Sequence, residues 1–275
     1  MSARMIHPGP RAEPRQRAVR SILQPIRGPL CAGRTVLRAV DELFAASHCK
    51  GGVLYLNDIA CDPLRYVLPA LSSDGVHAAW YSGIHDLGAA RILRATASVG
   101  QRDGAAFLHC HGIWQGTDGS LRMGHLLPQE TVIALDATAH GLGSDSAWFE
   151  GLPCAETAFT LFTPQGGTPE GTGLLARILP GEDVVTAIET LCAHHGLRQA
   201  RLHGLGSIDH IRFAEGHRMD CLATELRLAG AHLRDGRAHL PIEVVDIAGR
   251  IAHGTLTRGD NPVGVTLELV IEPLE

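Results

Sequence analysis

The feature that most constrains this chain is an internal repeat, in which two segments show the same order of predicted elements at the same spacing. A predicted helix over residues 33–44 aligns without gaps with a second predicted helix over residues 181–192. In both, apolar residues recur every three to four positions, which is the pattern of a helix that buries one face. A predicted strand follows each helix, over residues 52–56 and 200–208.

The second part of each copy repeats as well. An Arg-Asp-Gly turn sequence occurs in both copies, and the stretch 109–119 matches the stretch 239–249 in length. Each copy then closes with a predicted strand, over residues 131–137 in the first and 263–270 in the second. Agreement in both order and spacing over this length indicates an internal duplication.

We therefore expect an α+β fold made of two tandem copies of a small domain, each with one main helix and a mainly antiparallel sheet. The expected organisation is a basic, flexible N-terminal arm over residues 1–27, a first domain over residues 28–165 and a second domain over residues 166–275. Because the exposed edges of antiparallel sheets favour association, we also expect the chain to form a homo-oligomer.

The arm is predicted from its charge. Between Met1 and Arg34 lie seven arginines and a single acid, Glu13, and Pro8, Pro10 and Pro14 are also present. This composition is typical of an extended, mobile segment, which is either a solvated tail or an arm that binds phosphates. The arginines are Arg4, Arg11, Arg15, Arg17, Arg20, Arg27 and Arg34.

Composition argues against several classes of protein. The formal net charge of −5 at pH 7 disfavours a body that binds nucleic acid, because such surfaces are basic. The seven cysteines form no C-x-x-C pair, which favours reduced thiols over disulfides or a cysteine zinc site. No apolar run has the length of a membrane span, and no hydrophobic signal segment stands at the N-terminus. We expect a cytoplasmic protein that makes no contact with membranes.

A His-x-His pair in the first copy has the spacing of a metal site. Side chains two residues apart on a strand point to the same face, so His109 and His111 project together, roughly 7 Å apart along the chain. Asp118-Gly119 predicts a hairpin turn, and the returning strand then brings His125 beside the pair. Three imidazoles that leave one coordination position open are typical of a catalytic zinc site. We therefore predict a site for Zn²⁺, or for another divalent metal, at these three histidines.

Three residues near the histidines are candidate catalytic residues. Glu130 and Asp136 are candidates for a general base or for the partner of an imidazole N–H. Arg122 is a candidate for holding the carboxylate of a small-molecule substrate. In the alignment of the two copies, Asp136 takes the place of Glu268.

The second copy does not repeat the predicted metal site. It keeps a histidine, His239, at the place of the first ligand, but it has Pro241 and Thr255 at the places of the other two. We therefore expect at most one metal site in each chain, with the second copy as a degenerate structural partner.

Several of these motifs resemble the plant-and-prokaryote-conserved (PPC) domain family. The resemblance rests on the segments 177–184, 195–197 and 204–207 for the first part of such a domain, and on 109–111 and 124–126 for its second part. It implies a compact α+β fold that assembles as a trimer. In plants, the domain accompanies AT-hook motifs in transcriptional regulators, but this sequence lacks the Arg-Gly-Arg-Pro core of an AT-hook. The fold also resembles that of acetolactate decarboxylase and of a zinc-dependent ester hydrolase.

Three functions remain open at this point. The first is an oligomeric metalloprotein that acts as a zinc-dependent lyase or hydrolase on a small oxo-acid or ester. The second is a DNA-binding, transcription-associated protein that uses the arginine-rich arm, which the acidic body disfavours. The third is a purely structural assembly domain.

Overall fold

A computed structural model describes residues 4–274, and within them the chain forms two helices and 23 strands. The two predicted helices are confirmed as α1 (Val36–Ala46) and α2 (Val184–His194). Each begins after a residue whose side chain accepts a backbone N–H of the first turn, Thr35 for α1 and Asp183 for α2. In the described part of the chain, no helix is long and apolar enough to cross a membrane.

The strands fall into two groups along the chain. The first group is β1 (Gln16–Ser21), β2 (Gln24–Leu30), β3 (Gly51–Cys61), β4 (Arg65–Val67), β5 (Pro69–Leu71), β6 (Ala79–Tyr81), β7 (His85–Asp86), β8 (Ala90–Arg102), β9 (Ala105–Gly116), β10 (Leu121–Leu126), β11 (Ala137–Ser144), β12 (Ala147–Pro153) and β13 (Thr160–Gly166). The second group is β14 (Gly173–Ile178), β15 (Ala200–Ile208), β16 (Ile211–Arg212), β17 (Arg218–Met219), β18 (Thr224–Leu228), β19 (His232–Arg234), β20 (Arg237–His239), β21 (Pro241–Asp246), β22 (Ile251–Thr255) and β23 (Val263–Pro273).

The two large sheets have the same strand order. The first sheet runs β2-β11-β3-β8-β9-β10-β4-β7, and the second runs β1-β14-β23-β15-β18-β21-β22. The run from β2 to β10 corresponds strand by strand to the run from β14 to β22. Neighbours along both runs are antiparallel, while β12 joins β8 in parallel. The chain is therefore an α+β protein with two large, mainly antiparallel sheets and two helices.

Register supports the alignment of the two copies at the histidines. In the first sheet His111 lies opposite His125 on the β9–β10 pair. In the second sheet Pro241 lies opposite Thr255 on the β21–β22 pair, which occupies the same place in the strand order. The two replacements predicted from the sequence therefore stand at equivalent positions of the two sheets.

The prediction of a closing strand at residues 131–137 of the first copy is wrong, whereas the strand predicted for the second copy is confirmed as β23. The strand β11 starts only at the end of that range, and the amides of residues 131–134 donate to carbonyls of loops and of the end of β3 instead of forming a regular ladder. The register of β11 on β3, compared with that of β23 on β15, places Thr138 where the second half has Glu268. The predicted equivalence of Asp136 with Glu268 is therefore wrong by two residues.

The N-terminal arm predicted over residues 1–27 is not a mobile tail over its second half. Strand β1 pairs with β14 at the edge of the second sheet, and β2 pairs with β11 at the edge of the first. The expected domain boundary at residue 28 therefore falls inside β2, while residues 1–3 lie outside the described part of the chain. The physical reason is that each sheet edge offers unpaired N–H and C=O groups, which this segment satisfies.

Each helix buries its apolar stripe against its own sheet. Val36, Val40 and Leu43 of α1 belong to the core of the first half, and Ile188 and Leu191 of α2 belong to the core of the second. A separate cluster draws residues from both halves. Its members are Val53, Leu142, Ala147, Phe149, Phe162, Leu175 and Val270.

A charge network with two largely buried members, Arg227 and Glu243, also joins the halves. Glu243 on β21 accepts a hydrogen bond from Nε of Arg94 on β8 at 2.7 Å and one from Nε of Arg227 on β18 at 2.8 Å. Removing one partner of such a buried pair is costly, because a charge is left without compensation. The two halves therefore dock through specific contacts as well as apolar area.

Candidate metal centre

The three predicted histidines lie together on one hairpin. His109 and His111 point to the same face of β9, and the turn at Asp118-Gly119 brings β10 back alongside, with Gly119 at φ +78°. One nitrogen from each imidazole, including that of His125, lies within 4.8 Å of the other two. The distance between Nε2 of His109 and Nε2 of His111 is 3.0 Å. The three imidazole rings therefore converge on one hairpin, as the spacing of the histidines in the sequence predicts.

The second half holds two of these rings by their far nitrogens. Nδ1 of His109 donates to Oε1 of Glu268 on β23 at 2.9 Å, and Nδ1 of His111 donates to the carbonyl of Leu226 on β18 at 2.9 Å. With the protons on Nδ1, both Nε2 atoms present lone pairs to the same point. A carboxylate on the far nitrogen of an imidazole both orients the ring and raises its basicity as a ligand.

Burial disfavours the protonated form of two of these imidazoles, those of His111 and His125. Desolvation lowers the pKa of His111 well below its usual value, and the charges of His109 and His125 lower it further. Burial likewise lowers the pKa of His125, with a second contribution from His109. Nδ1 of His125 is buried and has no hydrogen-bond partner among the described residues. A site of this kind disfavours protonation and favours a cation that accepts nitrogen lone pairs.

The histidines open into a cavity of about 440 Å³ between the two halves. The first half contributes an aromatic wall, and the second half contributes residues of β15, β18 and β23 together with the segment before β18. The aromatic wall consists of Trp80, Tyr81, Phe107, Phe159 and Phe162. A mostly apolar cavity with a few convergent polar groups is the usual form of a small-molecule site.

Two buried acids in this cavity were missed by the sequence analysis. Glu225 on β18 and Glu268 on β23 both line the cavity, and Oε2 of each has no hydrogen-bond partner among the described residues. Burial raises the pKa of Glu225 well above its usual value. Burial also raises the pKa of Tyr81, and the two acids raise it further. For Glu268 the sequence offered a signal, an acid between two leucines of a mostly apolar strand. Glu225 stands in the mixed segment Thr-Glu-Leu-Arg-Leu, which gave no such signal.

The candidate catalytic residues Glu130, Arg122 and Asp136 lie elsewhere. None of them is among the described residues that line the cavity. Glu130 pairs with Arg65 at 3.5 Å, and Arg122 pairs with an exposed acid of its own hairpin at 3.6 Å. Asp136 accepts the backbone N–H of Ala32 at 2.8 Å. Arg122 is three residues from the nearest histidine on the same strand, so it projects from the opposite face.

Most arginines of the predicted arm are engaged inside the chain. They bind carboxylates or carbonyls of the second half, of the β12–β13 hairpin and of α1, so their guanidinium groups are held by contacts within the chain. The contacts are Arg4 with the carbonyl of Asp209, Arg11 with Glu182, Arg15 with Glu156 and Glu182, Arg20 with the carbonyls of Gly171 and His195, and Arg34 with Glu42 of α1.

Comparison with solved structures finds small proteins that match about half of this chain. A PPC protein from Pyrococcus horikoshii is 14% identical, with 51% of this chain and 91% of that protein covered at a TM-score of 0.41. A metal-containing protein from Archaeoglobus fulgidus is 16% identical, with 52% and 96% covered at a TM-score of 0.40. A protein from Ralstonia eutropha JMP134, described as a candidate DNA-binding protein, is 12% identical, with 50% and 89% covered at a TM-score of 0.38.

A comparison with family models identifies the second half directly. No curated protein matches the chain. The model of the Plants and Prokaryotes Conserved (PCC) domain, which is the PPC domain named above, matches residues 166–275. This range covers α2 and the whole second sheet apart from β1. Residues 166–275, the second half of the chain, are therefore identified as a PPC domain.

Proposed function

We propose that this chain is a metalloenzyme that binds one divalent ion at His109, His111 and His125 and acts as a lyase or hydrolase on an oxo-acid or ester. The observation that carries the proposal is the convergence of the imidazole nitrogens on one point of an interdomain cavity. A structural zinc site is closed by four protein ligands, whereas this group has three and faces a cavity.

The donor set fits a zinc ion. Two ligands of a tetrahedral zinc ion with Zn–N distances of about 2.0–2.1 Å are roughly 3.3 Å apart. The Nε2 atoms of His109 and His111 are 3.0 Å apart, which is close to that value. One ring nitrogen of His125 offers the third lone pair. Imidazole also suits copper, iron and nickel, so the donor set favours a transition metal without selecting one.

When bound, the ion would supply Lewis acidity that polarises a carbonyl oxygen of the substrate. The protein would supply the rest of the chemistry. Glu225, whose pKa is raised well above its usual value by burial, would be the group that donates a proton from its carboxyl group to the leaving group or to a carbanion. Glu268 would fix the tautomer of His109. The aromatic wall would exclude water from the reacting groups.

Metal analysis tests this function. Protein purified without chelators should contain close to one zinc, nickel, iron or manganese ion per chain, and chelation followed by reloading should restore that ratio. A content far below one ion per chain for all four metals, before and after reloading, would end the proposal.

The other expectations remain predictions. Deletion of residues before Gly28 is the direct test of DNA binding, but that deletion also removes β1, so substitution of the exposed Arg17 is the cleaner experiment. Self-association, including the expected trimer, is decided by the mass of the protein in solution.

A further inference from the structure

One exposed cation lines the cavity, at the end of the strand that pairs with the histidine strand β9. Arg102 is the last residue of β8, and among the described residues that line the cavity it is the one arginine or lysine. Its charge partner is the neighbouring Asp103 at 3.6 Å, whose side chain is 90% exposed. Such an exposed pair is worth little, because solvent screens it. The guanidinium is therefore available to a ligand.

The Arg102 side chain is held in place by packing. A Cβ placed on Gly151 of β12 would lie 3.1 Å from Cβ and 3.2 Å from Cγ of Arg102, so the absence of a side chain at Gly151 makes room for the stem of the arginine. Cζ of Arg102 lies 5.9 Å from the centroid of the Phe107 ring, within reach of a cation–π contact. The guanidinium is thus directed along the aromatic wall.

Register gives the length of the site. Arg102 lies opposite Ala105, four residues before His109 on the same face of β9. Four residues of strand span roughly 13 Å. Because the Arg102 side chain lies along Phe107, the gap between guanidinium and imidazoles is shorter, on the order of 10 Å. Phe107 and Phe162 stand in T-shaped contact in this interval.

We propose that the site takes an elongated organic acid, with its reacting carbonyl at the histidines, an apolar body on the aromatic wall and a carboxylate on Arg102. This inference rests on the proposed metalloenzyme function for the reacting end only. Planar guanidinium binds carboxylate through two parallel hydrogen bonds, which makes Arg102 the residue that selects for the acid. A short oxo-acid reaches one end of the cavity or the other, but not both.

The test uses ligands that carry a metal-binding group at one end. Binding of the monohydroxamate of octanedioic acid is compared by calorimetry with that of its analogue in which the carboxylate is a primary amide. Wild-type protein loaded with zinc should bind the acid at least about tenfold more tightly than the amide, since hydrogen bonds to charged groups are worth that much. The monohydroxamate of butanedioic acid should show no such preference, because it is too short.

Two variants make the comparison specific. Arg102→Gln should abolish the preference for the acid, whereas Arg234→Gln, in the matching Arg-Asp-Gly turn of the second half, should preserve it. In zinc-free protein the acid should still bind more tightly than the amide. Both ligands should bind more weakly than to the zinc-loaded protein, because the hydroxamate group has no ion to bind. If the hydroxamates bind equally well with and without zinc, while the acid still binds more tightly than the amide, the metal function alone is overturned. A preference that is missing in wild type or unchanged in Arg102→Gln would overturn the role of Arg102.

Discussion

In the first half, His111 and His125 face each other across a pair of strands, whereas the second half has Pro241 and Thr255 at the same two places. For the acid that contacts these histidines, the second half has the functional residue and the first half does not. The second half places Glu268 against a histidine of the first, and the equivalent position of the first half is Thr138. Each copy therefore lacks what the other supplies.

This division explains how a duplicated fold can tolerate buried acids. Glu225 and Glu268 are 5% and 1% exposed, and an unpaired acid at such depth is costly unless a positive charge or a proton compensates it. A cation bound by the histidine group of the first half would supply that compensation. The second half is thus a working part of the site rather than only a degenerate partner.

The largest effect is expected where the halves are tied together. Arg15 pairs with Glu156 of the β12–β13 hairpin at 2.5 Å and with Glu182, just before α2, at 3.4 Å. Replacing it in the Arg15→Met variant leaves a buried acid unpaired and should lower the free energy of unfolding by about 3–5 kcal/mol. Urea denaturation measures this loss. Arg17→Met, at an exposed neighbouring position, is the control. An equal loss of unfolding free energy in the two variants would show that the contacts of Arg15 do not hold the halves together.

The next effect concerns the ligands themselves. His111→Ala should weaken zinc binding at least about 100-fold, because removing a ligand costs no less than removing the partner of one. His239→Ala, in the second half, should leave the affinity unchanged because His239 lies outside the described cavity lining. Calorimetric titration of chelator-treated protein gives both values. Equal affinities in the two variants would show that the first half does not hold the ion.

The structural features that depend on local sequence patterns could be predicted from the sequence. The helices, the hairpin at Asp118-Gly119 and the grouping of His109, His111 and His125 all follow from periodicity and spacing within one copy. Glu225 and Glu268 could not be placed this way, because they reach the histidines only when the two sheets pack face to face. The arm was mispredicted for the same reason: β1 gains its partner from a strand more than 140 residues away along the chain.

A smaller effect is expected for the acid that orients a ligand. Glu268→Gln keeps a hydrogen-bond acceptor near Nδ1 of His109 but removes its negative charge, so zinc affinity should fall about 10–100-fold. Competition with a chromophoric chelator measures the change. Glu272→Gln on the same strand is the control, because Glu272 contacts Arg201 and His203 instead. A Glu268→Gln variant with wild-type affinity would reduce this acid to a packing role.

The last prediction concerns the protonation of Glu225, which is tested by replacing it with glutamine, a side chain of the same shape that does not titrate. Its pKa in the folded protein is raised above the ordinary value of 4.5, so between 4.5 and the raised pKa the folded state holds a proton that the unfolded state has lost. Stability from this group is therefore complete below pH 4.5 and falls as pH rises, by up to about 1.4 kcal/mol per pH unit. In zinc-free protein, the stability of the wild type minus that of Glu225→Gln should show that decline, because the opposite contribution of the buried histidines cancels in the difference. Urea denaturation from pH 5 to 8 can follow it.

A control of opposite sign is available on the surface of the same half. Hydrogen bonds from the backbone of Thr255 lower the pKa of Glu215, so its contribution is present above pH 4.5 and is lost as pH falls through the lowered pKa. Glu215→Gln should therefore leave the decline between pH 5 and 8 intact. Parallel pH profiles for wild type and Glu225→Gln would mean that Glu225 is ionised in the folded protein. It could then no longer act as the proton donor, and the division of roles between the two halves would lose its acid.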